Sequence, residues 1–444
     1  MIRENNRLLE VGEMALCTEI SLRNQVIYSI YVRNHTMEGT FKAIEKDLDR
    51  IKALGTDVIW FLPIHPIGVE GKKGSLGCPY AIKDYRKVNP EYGTLEDFQH
   101  LVEAIHKKDM KCIIDVVYNH TAIDSVLAKE HKEYFYKKED GSLGNKAGDW
   151  ADVIDLDYQN KALWDYQIET LKMWAKLVDG VRCDVASLVP LAFWLEARSE
   201  VEKIHPGFIW LAESVHPGFV KYVRHLGFNA CSDSEVYQAF DITYDYDIWD
   251  EFEAYIEGKA TLTSYITALK KQEVIYPSNY VKLRCLENHD QARIKQRVQD
   301  EKALKNLTAF MYFQKGTALI YGGQEVEAEH TPSLFEKEPI NWETGHDLTH
   351  LLQALYNIKK QDIVAKGNYE LEAYDEAHIV VGSYQTKEQI LVGLFTLKGK
   401  EACVKVPLQD GSYINLISKE KVEVTGGLLK TFGEPIIISH TINE

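Results

Sequence analysis

Four apolar runs in the 444-residue chain end in carboxylates. Cys112-Ile113-Ile114-Asp115-Val116-Val117 leads into Tyr118-Asn119-His120, and Gly180-Val181-Arg182-Cys183 leads into Asp184. Phe208 to Ala212 closes on Glu213, and the run from Val281 closes on Glu287-Asn288-His289-Asp290. A carboxylate at the end of a buried run is costly unless it is paired or put to use. Any one of these groups is accounted for by a helix cap or an arginine partner. Four of them meeting at one mouth call for shared chemistry, such as proton transfer and nucleophilic attack.

The elements around these ends must bring them together. Gln25 to Val32 reads as a strand, and Phe41, Ile44, Leu48, Ile51 and Leu54 give the next segment a helical stripe stopped by Gly55. Asp57 to Leu62 is a continuous apolar run, as expected for a strand buried on both faces. Thr94 with Asp97 three residues on predicts a capped helix carrying Phe98, Leu101, Val102 and Ile105. The same alternation continues through a helix near Ala162 to Leu177, a helix from Leu191, a weaker strand at Phe228 to Cys231, and a strand at Thr317 to Tyr321. Eight such units predict an α/β fold, a closed (β/α)8 TIM barrel whose chemistry sits at the C-terminal ends of the strands. A doubly wound open sheet is the alternative, but no GxGxxG follows an early strand. The alternation places the barrel at residues 1–120 and 159–365, with a short inserted subdomain after strand three at 121–158. Residues 366–444, with runs such as Ile390 to Phe395 and a turn at Asp410-Gly411, predict a C-terminal antiparallel β-sandwich.

These strand ends also carry a family resemblance. Asp115 to His120, Gly180 to Ala186, Glu213 and Glu287 to Asp290 resemble, in order, the signature regions of the α-amylase family of glycoside hydrolases. Gly77 to Tyr85 with Tyr92-Gly93-Thr94, Asp155 to Tyr158, and Gly316 to Glu325 resemble further segments of that family. The resemblance implies a retaining hydrolase of α-1,4-glucosidic bonds in starch-derived glucans or maltooligosaccharides. It implies Asp184 as nucleophile, Glu213 as general acid and then base, and Asp290 as the holder of the distorted sugar's hydroxyls. Arg182, two residues before Asp184 and on the same side of a strand, would keep Asp184 ionised. The resemblance further implies His120 and His289 as donors to sugar hydroxyls, and Tyr80 as a platform beneath the ring. An α-glucosidase or a 4-α-glucanotransferase shares the same triad and stays open as an alternative. A non-catalytic carbohydrate-binding member is a third reading, disfavoured because all three carboxylates are kept.

Two departures qualify the resemblance. Where the family usually has a Lys-His pair after the nucleophile, this chain has Ser187 and Leu188. Sugars on the leaving side are therefore expected to be held by stacking and neutral hydrogen bonds. The chemistry requires no cofactor. A structural calcium near Asn119 is an open implication of the family, with Asp152, Asp155 and Asp157 as candidate ligands but no EF-hand spacing.

Composition narrows the partners. Hydrophobic residues at 45% and charged residues at 27% suit a large core and exclude disorder and small disulfide scaffolds. A formal charge of −16 repels phosphate backbones and anionic lipids, so neither nucleic acid nor membrane is an expected partner. No apolar run reaches 18 residues, and Met1 to Arg7 does not lead into an apolar signal core. Seven cysteines are scattered without CxxC pairs, which fits reduced core thiols in a cytoplasmic protein.

Overall fold

The structure is a computed structural model that describes residues 18–148 and 150–442; the opening Met1 to Arg7 lies outside them. Eight parallel strands close a barrel: β1 (Val26–Ile30), β2 (Val58–Phe61), β3 (Lys111–Val116), β6 (Gly180–Cys183), β7 (Ile209–Ala212), β8 (Ile242–Tyr244), β9 (Lys282–Arg284) and β10 (Thr317–Tyr321). Between β3 and β6 lies the insertion, whose two-stranded antiparallel sheet pairs β4 (His120–Ala122) with β5 (Val153–Asp155). Nearly every barrel residue is buried, because helices cover the sheet from outside and side chains fill it from within.

Helices follow the strands much as the apolar stripes require. The expected first helix is two, α1 (Phe41–Glu45) and α2 (Leu48–Ala53). Between them Asp47 binds His35 Nε2 at 2.8 Å and Arg50 at 2.6 Å. In α3 (Leu95–His106), Thr94 and Asp97 close a capping box. Then come α4 (Lys161–Trp174), α5 (Leu191–Glu202), α6 (Pro217–His225) and α7 (Glu301–Phe313). One strand falls elsewhere than expected. Phe228 to Cys231 is a loop, and the sixth strand is β8, Ile242–Tyr244. Only three residues long and flanked by Asp241 and Asp245, β8 offers no apolar run to read.

The C-terminal part holds β11 (Asn368–Tyr374), β12 (Ile379–Gln385), β13 (Gln389–Thr396), β14 (Glu401–Lys405), β15 (Gly411–Ile414), β16 (Lys421–Thr425), β17 (Leu428–Phe432) and β18 (Ile436–Thr441). They form two four-stranded antiparallel sheets, β11-β12-β13-β18 and β14-β17-β16-β15. Alternation along the first sheet splits its faces. Val381, Val392 and Leu394 join Val404, Val424 and Leu429 of the second sheet, whereas Val380, Tyr384, Leu391 and Phe395 join the barrel's own core. Gly382 and Gly393, paired in register, open a slot for the Phe313 ring at the end of α7. A Cβ on Gly382 would stand 2.7 Å from that ring.

Candidate active site

The register of β3, β6 and β7 sets the site. Asp115 pairs with Arg182 and Cys183 with Ala212 in the parallel ladder, so Arg182, Asp184 and Glu213 emerge side by side at the barrel mouth. The Glu213 N–H donates to Cys183 O at 3.0 Å, fixing one strand end against the next. Gly180, at the base of β6, permits this closeness: a Cβ there would meet Ile209 O at 2.5 Å.

Arg182 is the hub. Its guanidinium is fully buried, with Tyr80, Trp60 and Tyr244 rings 5.3–5.6 Å away. Nη1 donates to Asp115 Oδ1 at 2.9 Å and to Asp184 Oδ1 at 3.0 Å. Nη2 lies 2.8 Å from Glu213 Oε2, an ion-pair contact without hydrogen-bond alignment. Glu213 Oε2 also accepts the Val185 N–H at 2.7 Å. That N–H is aimed by a left-handed backbone at Val185, φ 36° and ψ 44°. For a β-branched residue this is strained, at a cost of about 1–3 kcal/mol, and it falls directly after the expected nucleophile.

One guanidinium therefore faces three carboxylates. Burial and the Glu213 charge hold the Asp184 carboxyl well above the usual carboxylate range, and Arg182 only partly offsets them. Burial likewise lifts Asp115 to about 6 despite Arg182. Arg182 lowers the Asp184 carboxyl, but it is shared three ways and does not outweigh burial and the neighbouring charges. Burial raises the carboxyls of both Asp115 and Asp184, and the excess negative charge raises Asp184 further.

The other residues singled out from the sequence gather around this hub. His120 Nε2 stands 3.9 Å from Asp184 Oδ2, too far for a hydrogen bond. Asn119 Nδ2 faces His120 Nδ1 at 3.2 Å. Burial pushes the His120 imidazole down to about 4, so it is neutral at physiological pH. Tyr80 donates its hydroxyl to Asp115 Oδ2 at 3.0 Å and receives His289 Nε2 at 2.6 Å. Its ring stacks on His289 at 5.4 Å and 11°. His289 Nε2 also lies 3.1 Å from Asp290 Oδ2. Burial would raise the Asp290 carboxyl, but the His289 charge outweighs it and the group is held low. Asp290 keeps 39% of its side chain exposed to the cleft.

Two assignments differ from a simple reading of the strand ends. Glu287 is taken by structure: Arg293 Nη1 donates to it at 2.6 Å and the Ile294 N–H at 2.6 Å. Asp115, in contrast, had been given no role of its own, yet it buttresses both Arg182 and Tyr80. In the sequence it stands as a charge inside an otherwise apolar strand, at the head of the Asp115 to His120 segment.

The residues around Asn119 do not fit a bound calcium. Asp152 pairs with Lys73 at 3.0 Å, and Asp157 Oδ1 accepts the Gln159 N–H. Asp155 accepts the Lys146 N–H at 2.7 Å and Asn145 Nδ2 at 3.3 Å. The Lys146 ammonium donates to Leu156 O at 2.5 Å and feels the charges of Asp155 and Asp157. Among the described residues, no three His, Cys, Asp or Glu side chains converge as a cation would need.

Comparison with known proteins adds the following. The family described as alpha amylase, catalytic domain, matches residues 25–367, and the bacterial alpha amylase C-terminal domain matches residues 370–438. The crystal structure of an alpha-amylase from Lactobacillus plantarum is 47% identical, with a TM-score of 0.93, covering 95% of this chain and 100% of that one. A maltogenic alpha-amylase, AmyB, from Thermotoga neapolitana is 32% identical, with a TM-score of 0.85, covering 95% and 100%. Alpha-amylase MalA of Haloarcula japonica is 27% identical over 317 residues, 68% of this chain. The match spans only 44% of MalA's length.

Proposed function

Because the chain belongs to the α-amylase family of glycoside hydrolases, matched over residues 25–367, we propose that it hydrolyses α-1,4-glucosidic bonds in starch-derived glucans or maltooligosaccharides with retention of configuration. The observation that carries this reading is the placement of Asp184 and Glu213 on adjacent parallel strands around one shared arginine. Retention needs two carboxyl groups about 5–5.5 Å apart, close enough for one to attack the anomeric carbon directly.

In the first step Glu213 gives its proton to the glycosidic oxygen while an Asp184 oxygen bonds to the anomeric carbon, releasing the leaving chain. In the second step Glu213 takes a proton from water, whose oxygen displaces Asp184 at the same carbon and frees the sugar as the α-anomer. Among the described residues nothing bonds Glu213 Oε1, so that oxygen is the one to move the proton, while Oε2 is held by Val185 and Arg182. Asp290, held low by His289, is an ionised acceptor for sugar hydroxyls and a counter-charge for the oxocarbenium-like transition state. His120, neutral at physiological pH, hydrogen-bonds a sugar hydroxyl, and the sugar ring packs on Tyr80. No cofactor enters this chemistry, and Lys146 supplies the positive charge among the subdomain aspartates.

A product profile on maltoheptaose, soluble starch and pullulan, with the first anomer read by NMR, tests the reading. Short maltooligosaccharides released as α-anomers are expected. A β-anomer overturns retention, and abundant products longer than the substrate point instead to a 4-α-glucanotransferase.

A further inference from the structure

A fully buried lysine lies on β9, and the two-step chemistry does not use it. Lys282 is in register with Thr243 of β8, and Thr243 with Ala212 of β7, so Lys282 stands level with the residue before Glu213, two strands away. Its ammonium donates to Asp233 Oδ2, to Asp247 Oδ1 at 2.8 Å and to Tyr244 O at 3.0 Å. The Tyr276 ring lies 4.5 Å from it. Burial alone would lower the ammonium, but Asp233 and Asp247 outweigh burial and keep it charged. A buried ion pair is weak evidence for stability, since well-packed apolar side chains of similar volume often do as well or better. What the lysine is for is therefore read from what its partners hold.

Asp233 leads to the acid/base. Besides the ammonium, its Oδ2 accepts the Ser214 hydroxyl at 3.1 Å, and Ser214 directly follows Glu213. Ser214, Asp233 and Lys282 are all buried. The ammonium is itself anchored, since Asp247, its second carboxylate, accepts Gln272 Nε2 at 2.9 Å and the Tyr276 hydroxyl at 2.8 Å. On either side of Ser214 the backbone is tied as well: the Glu213 N–H donates to Cys183 O at 3.0 Å and the Val215 N–H to Ser187 Oγ at 3.3 Å. Resting on the functional reading above, we propose that Lys282 is a positioning residue for the acid/base. It acts through Asp233 and the Ser214 hydroxyl to hold the end of β7 at the angle from which Glu213 Oε1 reaches the glycosidic oxygen. The carboxyl is fixed at Oε2 alone, so the direction of Oε1 follows the backbone that carries it. A misplacement of about 1 Å costs an enzymatic rate about 10²-fold.

The test compares kcat/KM on maltoheptaose, whose leaving oxygen needs a proton, with kcat/KM on α-glucosyl fluoride, whose leaving group does not. Ser214→Ala is expected to lower the maltoheptaose value about tenfold and the fluoride value less than about threefold. A loss of folded enzyme would lower both values equally. Lys282→Met should show the same selective loss, and adding Ser214→Ala to it should cost less than about a further twofold, because the two act along one chain of contacts. Ser214→Ala leaves every Lys282 ion pair in place, so its outcome does not depend on whether Lys282→Met folds. Equal losses on both substrates, an unimpaired Ser214→Ala, or additive losses in the double variant overturn the role of Lys282 and leave the functional reading standing. A wild-type enzyme that cleaves neither substrate overturns the functional reading and this role together.

Discussion

At the barrel mouth the charges do not balance, and that imbalance has consequences at single residues. Asp115, Asp184 and Glu213 share the Arg182 guanidinium, and burial with mutual repulsion lifts Asp184 above the usual carboxylate range. A nucleophile must be ionised, so kcat/KM falls as pH drops through this raised value. The acidic limb is expected above about pH 4. Asp115→Asn keeps shape but removes one of the charges that raise Asp184. The acidic limb of the variant should therefore move to lower pH, measured as kcat/KM against pH on an aryl maltoside; a limb that stays put means Asp115 is not coupled to the nucleophile. Glu213→Gln tests proton delivery. General acid catalysis contributes about 10²–10⁴-fold, so cleavage of maltooligosaccharides should fall by that order. Glucosyl fluoride, whose leaving group needs no proton, should lose far less in glycosylation, and equal losses on both substrates remove Glu213 from the role.

At the scale of elements, the insertion between β3 and β6 carries His120 at its root, in a hairpin where His120 pairs with Asp155. Lys146 crosses that hairpin, donating to Leu156 O beside Asp155 and Asp157. A hydrogen bond to a charged group contributes about 1.5–3 kcal/mol, so Lys146→Met should destabilise the protein by roughly that amount. Chelation by excess EDTA should leave the wild-type melting temperature unchanged. Thermal melts with and without EDTA check both, and a melting temperature that EDTA lowers and calcium restores would reinstate the metal.

Across the whole molecule, barrel and C-terminal sheet share one core. Phe313 of α7 fills the slot above Gly382 and Gly393, with Tyr384 and Phe395 rings each 5.2 Å away. Tyr384 donates its hydroxyl to Phe313 O at 2.8 Å. Removing a buried phenylalanine costs about 3–5 kcal/mol, so Phe313→Ala should lower stability by that order. Because the lost contacts belong to both parts, calorimetry should show one transition moved as a unit. Two separated transitions in the wild type would show that the parts unfold independently.

Local signals in the sequence were enough for the barrel and for the chemical types at its mouth. Apolar runs alternating with helical stripes mark a parallel sheet, and a carboxylate closing such a run is visible within a few residues. β8 escaped because a three-residue strand bounded by aspartates has no such run. Among the strand-end carboxylates, only tertiary contacts distinguish Glu287, absorbed by Arg293, from Asp115, which props up Arg182 and Tyr80. The raised carboxyls at the mouth, the left-handed Val185 and the placement of Lys146 among the subdomain aspartates likewise depend on groups far apart in the chain. Periodicity is set by neighbours in sequence, whereas charge coupling, desolvation and strain are set by neighbours in space.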